Sequence, residues 1–158
     1  MDIGTRCATT GRTWDLLDPT DQAKARRMLQ KDKPELLVAS PPCTHFSNLQ
    51  NLNKKEWKRE ERDKAIAMVD YAVEMCVLQH RAGRKFVFEH PSTSRAWSLP
   101  SLHKLAMLEG MYAVDFDQCM FGQAVVGSGG KRGLAKKRTM IYTNSSVIDK
   151  LMDKQCSG

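Results

Sequence analysis

The sequence predicts an α/β domain built on a mostly parallel sheet with flanking helices. Short apolar runs, such as residues 36–39 and 86–88, have the length of buried strands. Apolar residues at helical spacing lie between them, most clearly over residues 59–81. Because two strands joined by one helix in a sheet are typically parallel, these two should run side by side. The length of 158 residues predicts a single domain, residues 1–158.

The first third of the chain predicts one helix and one strand after a short, strand-like stretch at residues 14–17. Asp18 has the residue type of a helix N-cap, and Pro19 suits the first helical position. This helix should run through Lys31 and end before Pro34. The following strand should end at Ser40, because the next two prolines cannot donate hydrogen bonds within a sheet.

The rest of the chain continues the alternation. A long amphipathic helix is expected at about residues 59–81, ended by Gly83. Residues 125–135 predict a flexible, basic, glycine-rich loop, and Ser146 with Asp149 predicts a capping box. The other predicted elements are strands at residues 85–89, 112–116 and 140–143, a helix from Pro100, and a last helix at residues 147–154.

Cys43 lies on a rigid loop just past the carboxyl end of the first predicted strand. Ligands and reactive groups collect at that end of strands in open α/β sheets. A thiolate there can act as a nucleophile, although a loop cysteine can equally be a small buried hydrophobe. Glu89 comes at the carboxyl end of the next strand, so the two residues are expected at one rim of the sheet.

Three motifs resemble the cytosine-C5 DNA methyltransferases. Pro41-Pro42-Cys43 followed by Phe46-Ser47 resembles their catalytic loop, P-P-C-x-x-F-S. The sequence F-V-F-E-H-P at residues 86–91 resembles their strand ending in Glu-Asn-Val, whose glutamate holds the target base. Residues 136–138, K-K-R, resemble more weakly their Gln-x-Arg-x-Arg motif. The order of the motifs agrees over about residues 15–144.

The resemblance implies a partial, Rossmann-like methyltransferase fold and a DNA (cytosine-5)-methyltransferase-like activity with S-adenosylmethionine as methyl donor. It implies that Cys43 is the nucleophile that adds to cytosine C6, that Glu89 stabilises the base, and that Arg138 positions it. Residues implied near the cofactor are Asp15, Ser40 and Pro41. The sequence has no counterpart of the family's Phe-x-Gly-x-Gly cofactor loop. We therefore expect cofactor binding and activity to need either a complementing protein chain or a longer protein of which this chain is a piece.

The net charge of +7 favours a polyanionic partner, and DNA is the expected nucleic acid. The residues expected to contact it are Ser47, Arg95, Lys131, Arg132, Lys136 and Lys137. Two other functions remain open. The chain can be a non-catalytic relative that binds nucleic acid or a partner protein, or a thiol enzyme of another class that uses Cys43 with His45 or His90.

The five scattered cysteines do not form the pattern of a disulfide framework, which predicts a reducing compartment. No C-x-x-C pair is present, and no metal site is expected. No apolar run approaches the ~20 residues that a membrane span needs. The expected location is intracellular, in the cytoplasm or the nucleus.

Overall fold

A computed structural model describes residues 11–47, 59–127 and 129–157. No helix within these ranges is long and apolar enough to cross a membrane. The α-helices and strands, in chain order, are α1 (Pro19–Asp32), β1 (Leu36–Ala39), α2 (Arg59–Arg81), β2 (Lys85–Pro91), α3 (Pro100–Ala106), β3 (Tyr112–Asp117), β4 (Ala124–Val126), β5 (Arg132–Leu134), β6 (Arg138–Thr143) and α4 (Ser146–Met152). Short 3₁₀ helices span Thr44–Phe46, Arg95–Ser98 and Gln118–Phe121.

The main sheet has four strands in the order β1-β2-β6-β3. The α/β class is confirmed, and β1 and β2 are parallel as predicted. The prediction that the sheet is mostly parallel is wrong. Among the strand pairs that the structure describes in this sheet, only β1–β2 is parallel, because β6 is antiparallel to both β2 and β3. An antiparallel neighbour needs no helical crossover, and the connection from β3 to β6 carries a short 3₁₀ helix and a small hairpin. β1, β2 and β3 consequently share one direction, and β6 opposes them.

The predicted helix boundaries of α1 and α2 are close to the observed ones. The Asp18 carboxylate accepts hydrogen bonds from the backbone N–H groups of Thr20 and Asp21, which caps α1. Lys33 ends α1 with a left-handed φ of 45°, and its N–H donates to the Leu29 carbonyl. The strand-like stretch at residues 14–17 is instead a turn, in which the Asp18 N–H donates to the Asp15 carbonyl at 3.0 Å.

The main hydrophobic core lies between one face of the sheet and helices α2 and α3. Phe86 and Phe88 of β2 are fully buried at its centre. The other buried members are Phe46, Val69, Val73, Cys76, Ala96, Leu102 and Leu105. Helix α1 packs on the outside of α2 through a second cluster that includes Trp14 and Tyr71. The core therefore holds β1, β2 and the loop that carries Cys43 in one rigid unit.

The opposite face of the sheet is covered only in part. Helix α4 packs on β3 and β6 through Ile148 and Met152. Its N-cap is Ser145, whose hydroxyl accepts from the Ile148 N–H. The predicted capping box at Ser146 is thus wrong by one residue, since the chain offers two adjacent serines.

Over β1 this same face is open to solvent. Leu36 and Val38 have exposed fractions of 45% and 62%. In the part of the chain that the structure describes, β1 has a strand neighbour on one side only, so its outer edge is unpaired. An unpaired edge beside exposed apolar side chains is a surface on which another chain can add a strand.

The glycine-rich segment predicted as a loop forms the β4–β5 hairpin. The Gly127 N–H donates to the Lys131 carbonyl, and the Gly130 N–H donates to the Gly127 carbonyl, both at 3.0 Å. Gly130 has a φ of 72°, which a side chain disfavours. Both strands are only three residues long and mostly exposed, so they lack the alternation that reveals a strand in a sequence.

Candidate active site and basic surface

The strand directions bring three predicted site residues to one end of the sheet. Ala39, the last residue of β1, pairs with Phe88 of β2, so both strands end at the same rim. β6 runs the other way, and its first residues lie beside Pro91 at the end of β2. Cys43, Glu89 and Arg138 therefore belong to consecutive positions along one rim. This is the rim at which the sequence predicted a shared site.

The loop that carries Cys43 is held at both ends. Pro41 and Pro42 fix the chain as it leaves β1. Phe46 is buried in the main core, and its N–H donates to the Cys43 carbonyl at 3.0 Å. Cys43 itself is half-buried, and its side chain does not cap the 3₁₀ turn that follows. The thiol is thus on a fixed backbone and is not used in the local hydrogen bonding of that turn.

His90 is the residue of β2 that joins this loop to the sheet. Its ring lies 5.8 Å from the Phe46 ring in an edge-on contact, and it stacks on Phe88 at 6.4 Å. The Pro42 carbonyl also lies beside the ring. His90 is fully buried. The predicted strand at residues 85–89 stopped short of His90, although the spacing of Phe86, Phe88 and His90 is typical of one face of a strand.

The surroundings of His90 keep its ring neutral. Burial lowers the pKa of His90 to about 4; the Pro42 carbonyl partly offsets this, and the positive charge of Lys137 lowers the pKa further. Neither ring nitrogen has a hydrogen-bond partner of good geometry among the described residues. A thiolate–imidazolium pair between Cys43 and His90 is disfavoured, because burial opposes the charged form of the His90 ring. The low pKa argues against a thiol enzyme that would use this histidine as its base.

Glu89 lies on the opposite face of β2 from His90. It pairs with Ile141 of β6, whereas His90 pairs with Met140. The Glu89 Oε1 atom is buried, and within the described ranges it has no hydrogen-bond partner. A buried carboxyl oxygen without a partner costs free energy, and such an atom calls for a functional explanation. It is available to a ligand that reaches the rim.

Arg138 lies on the His90 face of the sheet. It pairs with Asp117, and its Nε atom is 4.0 Å from an Asp115 carboxylate oxygen. Both partners of this ion pair are substantially exposed, so it contributes little to stability. The structure therefore brings Cys43, Glu89 and Arg138 to one rim, but Glu89 and Arg138 project from different faces. A ligand that contacts both must lie across the end of the strands.

An apolar cavity of about 280 Å³ opens beside the outer edge of β1. Two residues predicted near the cofactor, Ser40 and Pro41, line it. The third, Asp15, is exposed next to the lining residue Leu16, and its carboxylate accepts from the Leu17 N–H at 2.9 Å. The structure thus places Ser40 and Pro41 in the cavity wall, whereas Asp15 does not line the cavity. The volume is at the lower limit of typical small-molecule sites, which are about 300–1,000 Å³.

The predicted nucleic-acid contacts fall into two groups. Lys136 and Lys137 are exposed and lead directly into β6 at the site rim. Lys131 and Arg132 are exposed on the β4–β5 hairpin. Of the remaining two predicted contacts, Arg95 is exposed just after β2, and Ser47 is half-buried at the end of the Cys43 loop.

Trp97 packs against the main core. Its indole N–H donates to the Pro91 carbonyl at 2.8 Å. Its ring lies 4.8 Å from Tyr142 and contacts both Phe88 and His90 edge-on. The Trp97 side chain therefore packs against the end of β2, and its ring is not available to stack on a nucleic-acid base.

The described residues contain no group of three His, Cys, Asp or Glu side chains placed to hold a metal ion. No family model matches the chain, and comparisons with curated proteins and with solved structures return no match.

We predict that His90 makes the free energy of unfolding depend on pH. Its folded pKa of about 4 is below the ordinary value of 6.5, so the unfolded chain binds the proton first as the pH falls. The stabilisation is complete above about pH 6.5 and is lost toward pH 4. His90→Gln should remove about 2 kcal/mol of the stability difference between about pH 7 and about pH 4.5, measured by urea unfolding.

The matched control is His103→Gln, because His103 is exposed on α3. This variant should keep the pH dependence of the unchanged protein. An equal loss of stability between the two pH values in His90→Gln and in the unchanged protein would show that His90 is not the group responsible.

Proposed function

We propose that this chain is a DNA (cytosine-5)-methyltransferase-like protein whose reactive centre is the rim formed by Cys43, Glu89 and Arg138. The observation that carries the proposal is the buried Oε1 atom of Glu89, which has no hydrogen-bond partner among the described residues and lies beside the strand end that supports the Cys43 loop. The shared direction of β1, β2 and β3 agrees with part of a Rossmann-like sheet. The three sequence motifs fall at the corresponding strand ends.

Cys43 supplies the nucleophile in this proposal. Cytosine C5 is itself a weak nucleophile, and addition of the thiolate to C6 gives C5 carbanion character. C5 can then bond to a methyl group, after which loss of the C5 proton and of the thiolate restores the ring. A reducing intracellular compartment, the cytoplasm or the nucleus, keeps the thiol available. The rigid Pro41-Pro42 connection limits the loss of backbone freedom when a base is bound.

Glu89 stabilises the charge that develops on the ring. In its acid form the carboxyl group donates a hydrogen bond to cytosine N3, which gives a partner to a group whose Oε1 atom has none among the described residues. A positioned acid of this kind contributes about 10²–10⁴ in rate. Arg138 reaches the rim from the other face, where a charge-assisted hydrogen bond to the pyrimidine O2 or to a phosphate positions the base. The weak ion pair with Asp115 leaves it free to do so.

S-adenosylmethionine, which supplies the methyl group when bound, fits the cavity beside β1 only in part. Leu16, Val38 and Pro41 offer an apolar wall for a flat ring, and Asp15 lies close to this wall as a hydrogen-bond acceptor. A cofactor of this size needs most of its surface buried, and about 280 Å³ is too small for that. This chain supplies the apolar wall and the Asp15 carboxylate. The residues that would cover the remaining surface of the cofactor must come from another chain or segment.

A complementing protein chain is the proposed source of that enclosure. The cavity adjoins the unpaired outer edge of β1, and Leu36 and Val38 expose apolar surface next to it. A partner that adds a strand to this edge would bury both side chains and close the cavity at once. The proposed partner therefore presents an extended apolar segment, followed by residues that cover the cofactor.

DNA binding is assigned to the basic surface around the rim. Lys136 and Lys137 lie beside the site, and the hairpin extends the positive charge through Lys131 and Arg132. A two-stranded ribbon has dimensions that the major groove admits. Since the target base cannot be reached inside a duplex, it must be flipped out or offered in a single strand.

We predict that the chain alone exchanges the C5 hydrogen of cytosine with solvent. Thiolate addition at C6 lets C5 take up a deuteron from heavy water, and elimination then releases the original proton; no methyl donor is needed. Deuterium at C5 of cytosine in single-stranded DNA, measured by mass spectrometry, should require Cys43. Glu89→Gln should slow the exchange by about 10²-fold or more.

Cys43→Ser should abolish the exchange, whereas Cys156→Ser, which removes another half-buried thiol, should leave it unchanged. Exchange that survives in Cys43→Ser would overturn the proposed chemistry. No exchange in the unchanged protein would favour the non-catalytic alternative, in which the chain only binds.

We predict weak binding of S-adenosylmethionine to the chain alone, because the cavity is open along β1. Equilibrium dialysis with labelled cofactor should give a dissociation constant of about 1 mM or weaker. Val38→Asp, which places a charge at the cavity wall, should weaken it further, and Met107→Asp at an exposed site should not. Micromolar binding by the chain alone would contradict the need for a complementing chain.

Non-catalytic binding of nucleic acid is the second candidate function, and the exposed basic hairpin specifically favours it. We predict that affinity for a DNA duplex falls as salt rises. Lys131→Ala with Arg132→Ala should reduce the slope of log affinity against log salt by about 2, through the loss of two phosphate contacts. Lys31→Ala with Lys104→Ala, which removes the same charge from α1 and α3, should change the slope little.

A further inference from the structure

The C-terminal segment after α4 is fastened to the end of β3. The Asp117 N–H donates to the Lys154 carbonyl at 3.1 Å. In return, the Cys156 N–H donates to the Asp117 carboxylate at 2.9 Å. The Lys136 ammonium group donates to the Cys156 carbonyl at 3.3 Å. Three hydrogen bonds, two of them to Cys156 and one to Lys154, thus fix this segment of the backbone beside the strand end.

This placement brings two thiols together. Cys119 lies on the 3₁₀ helix that begins one residue after Asp117, and it is buried. Cys156 is half-buried, and its thiol shares a hydrogen bond with that of Cys119. Burial raises the pKa of the Cys119 thiol, and the contact with Cys156 raises it further. Cys156 is consequently the accessible member of the pair, and Cys119 is the protected one.

We propose that Cys119 and Cys156 are a modification site, at which an intramolecular disulfide forms by exchange with a low-molecular-weight disulfide. The Cys156 thiolate attacks one sulfur of that disulfide and releases one thiol, which leaves a mixed disulfide on Cys156. The Cys119 thiolate then attacks the Cys156 sulfur and releases the second thiol. Two protein thiols are oxidised, the small disulfide is reduced to two thiols, and the two protons end on those thiols.

The inference is independent of the proposed activity. Two thiols that share a hydrogen bond meet the first requirement for a disulfide, which is that the two sulfur atoms lie close together. The bond would close a loop that contains β4, β5, β6 and α4. A cross-link over a loop of this size restricts the unfolded chain, so the oxidised protein should be the more stable form.

Treatment of the full chain with oxidised glutathione, followed by non-reducing digestion with trypsin, tests the proposal. Mass spectrometry should find the peptide that carries Cys119 linked to the peptide that carries Cys156, with a loss of two hydrogen atoms. Oxidation should also raise the melting temperature by on the order of 10 °C, and a reductant should reverse the change.

Cys156→Ser removes only the half-buried partner and should abolish both the linked peptide and the rise in melting temperature. Cys43→Ser, which removes another half-buried thiol, should keep both the linked peptide and the rise in melting temperature. A stable mixed disulfide of glutathione on Cys156, or a link from Cys156 to any other cysteine in place of Cys119, would overturn the proposal. So would a Cys119–Cys156 link that leaves the melting temperature unchanged.

Discussion

The parallel hydrogen bonding between β1 and β2 is the constraint on which the rest of the structure depends. Its register sets Ala39 beside Phe88, and every later position at the rim follows from that pairing. The loop after β1 then meets the last residues of β2, where His90 packs against Phe46. Helix α2 must bridge the two strands, because parallel neighbours cannot be joined by a tight turn. The main core forms beneath this bridge.

The alternation of side chains along β2 divides the rim into two environments. His90 faces the packed side, where burial and aromatic neighbours keep it neutral. Glu89 faces the side that α4 covers only in part, and there its carboxyl oxygen has no partner in the described residues. His90 thus supports the loop that carries Cys43, and Glu89 remains available to bind a ligand at the rim. A shift of one residue in the pairing would exchange these two roles.

Local patterns predicted the elements whose signals are local. The N-cap at Asp18 and the long apolar stripe of α2 each depend on neighbouring residues, and both are observed. The strand predicted at residues 36–39 is also observed, but the prediction that it is buried is wrong, because Leu36 and Val38 are exposed on the uncovered face of the sheet. The position of β6 between β2 and β3 could not be predicted in this way, because strand order depends on contacts between distant parts of the chain. The hairpin escaped detection because its strands are short and exposed. The sequence predicted that the site residues lie at one rim, because they follow the ends of predicted strands. It could not predict that Glu89 and Arg138 project from different faces of the sheet, because this depends on the pairing register of β2, β6 and β3.

The central place of β6 has a consequence for synthesis of the protein. Residues 138–143 are made after β2 and β3, yet they pair with both of these strands. Until they emerge from the ribosome, β2 has β1 as a partner on one side only, and β3 has no partner in the sheet. Val114 and Phe116 then lie on an unpaired segment that is prone to wrong association. The growing chain should therefore depend on chaperones most in the interval between synthesis of β3 and synthesis of β6.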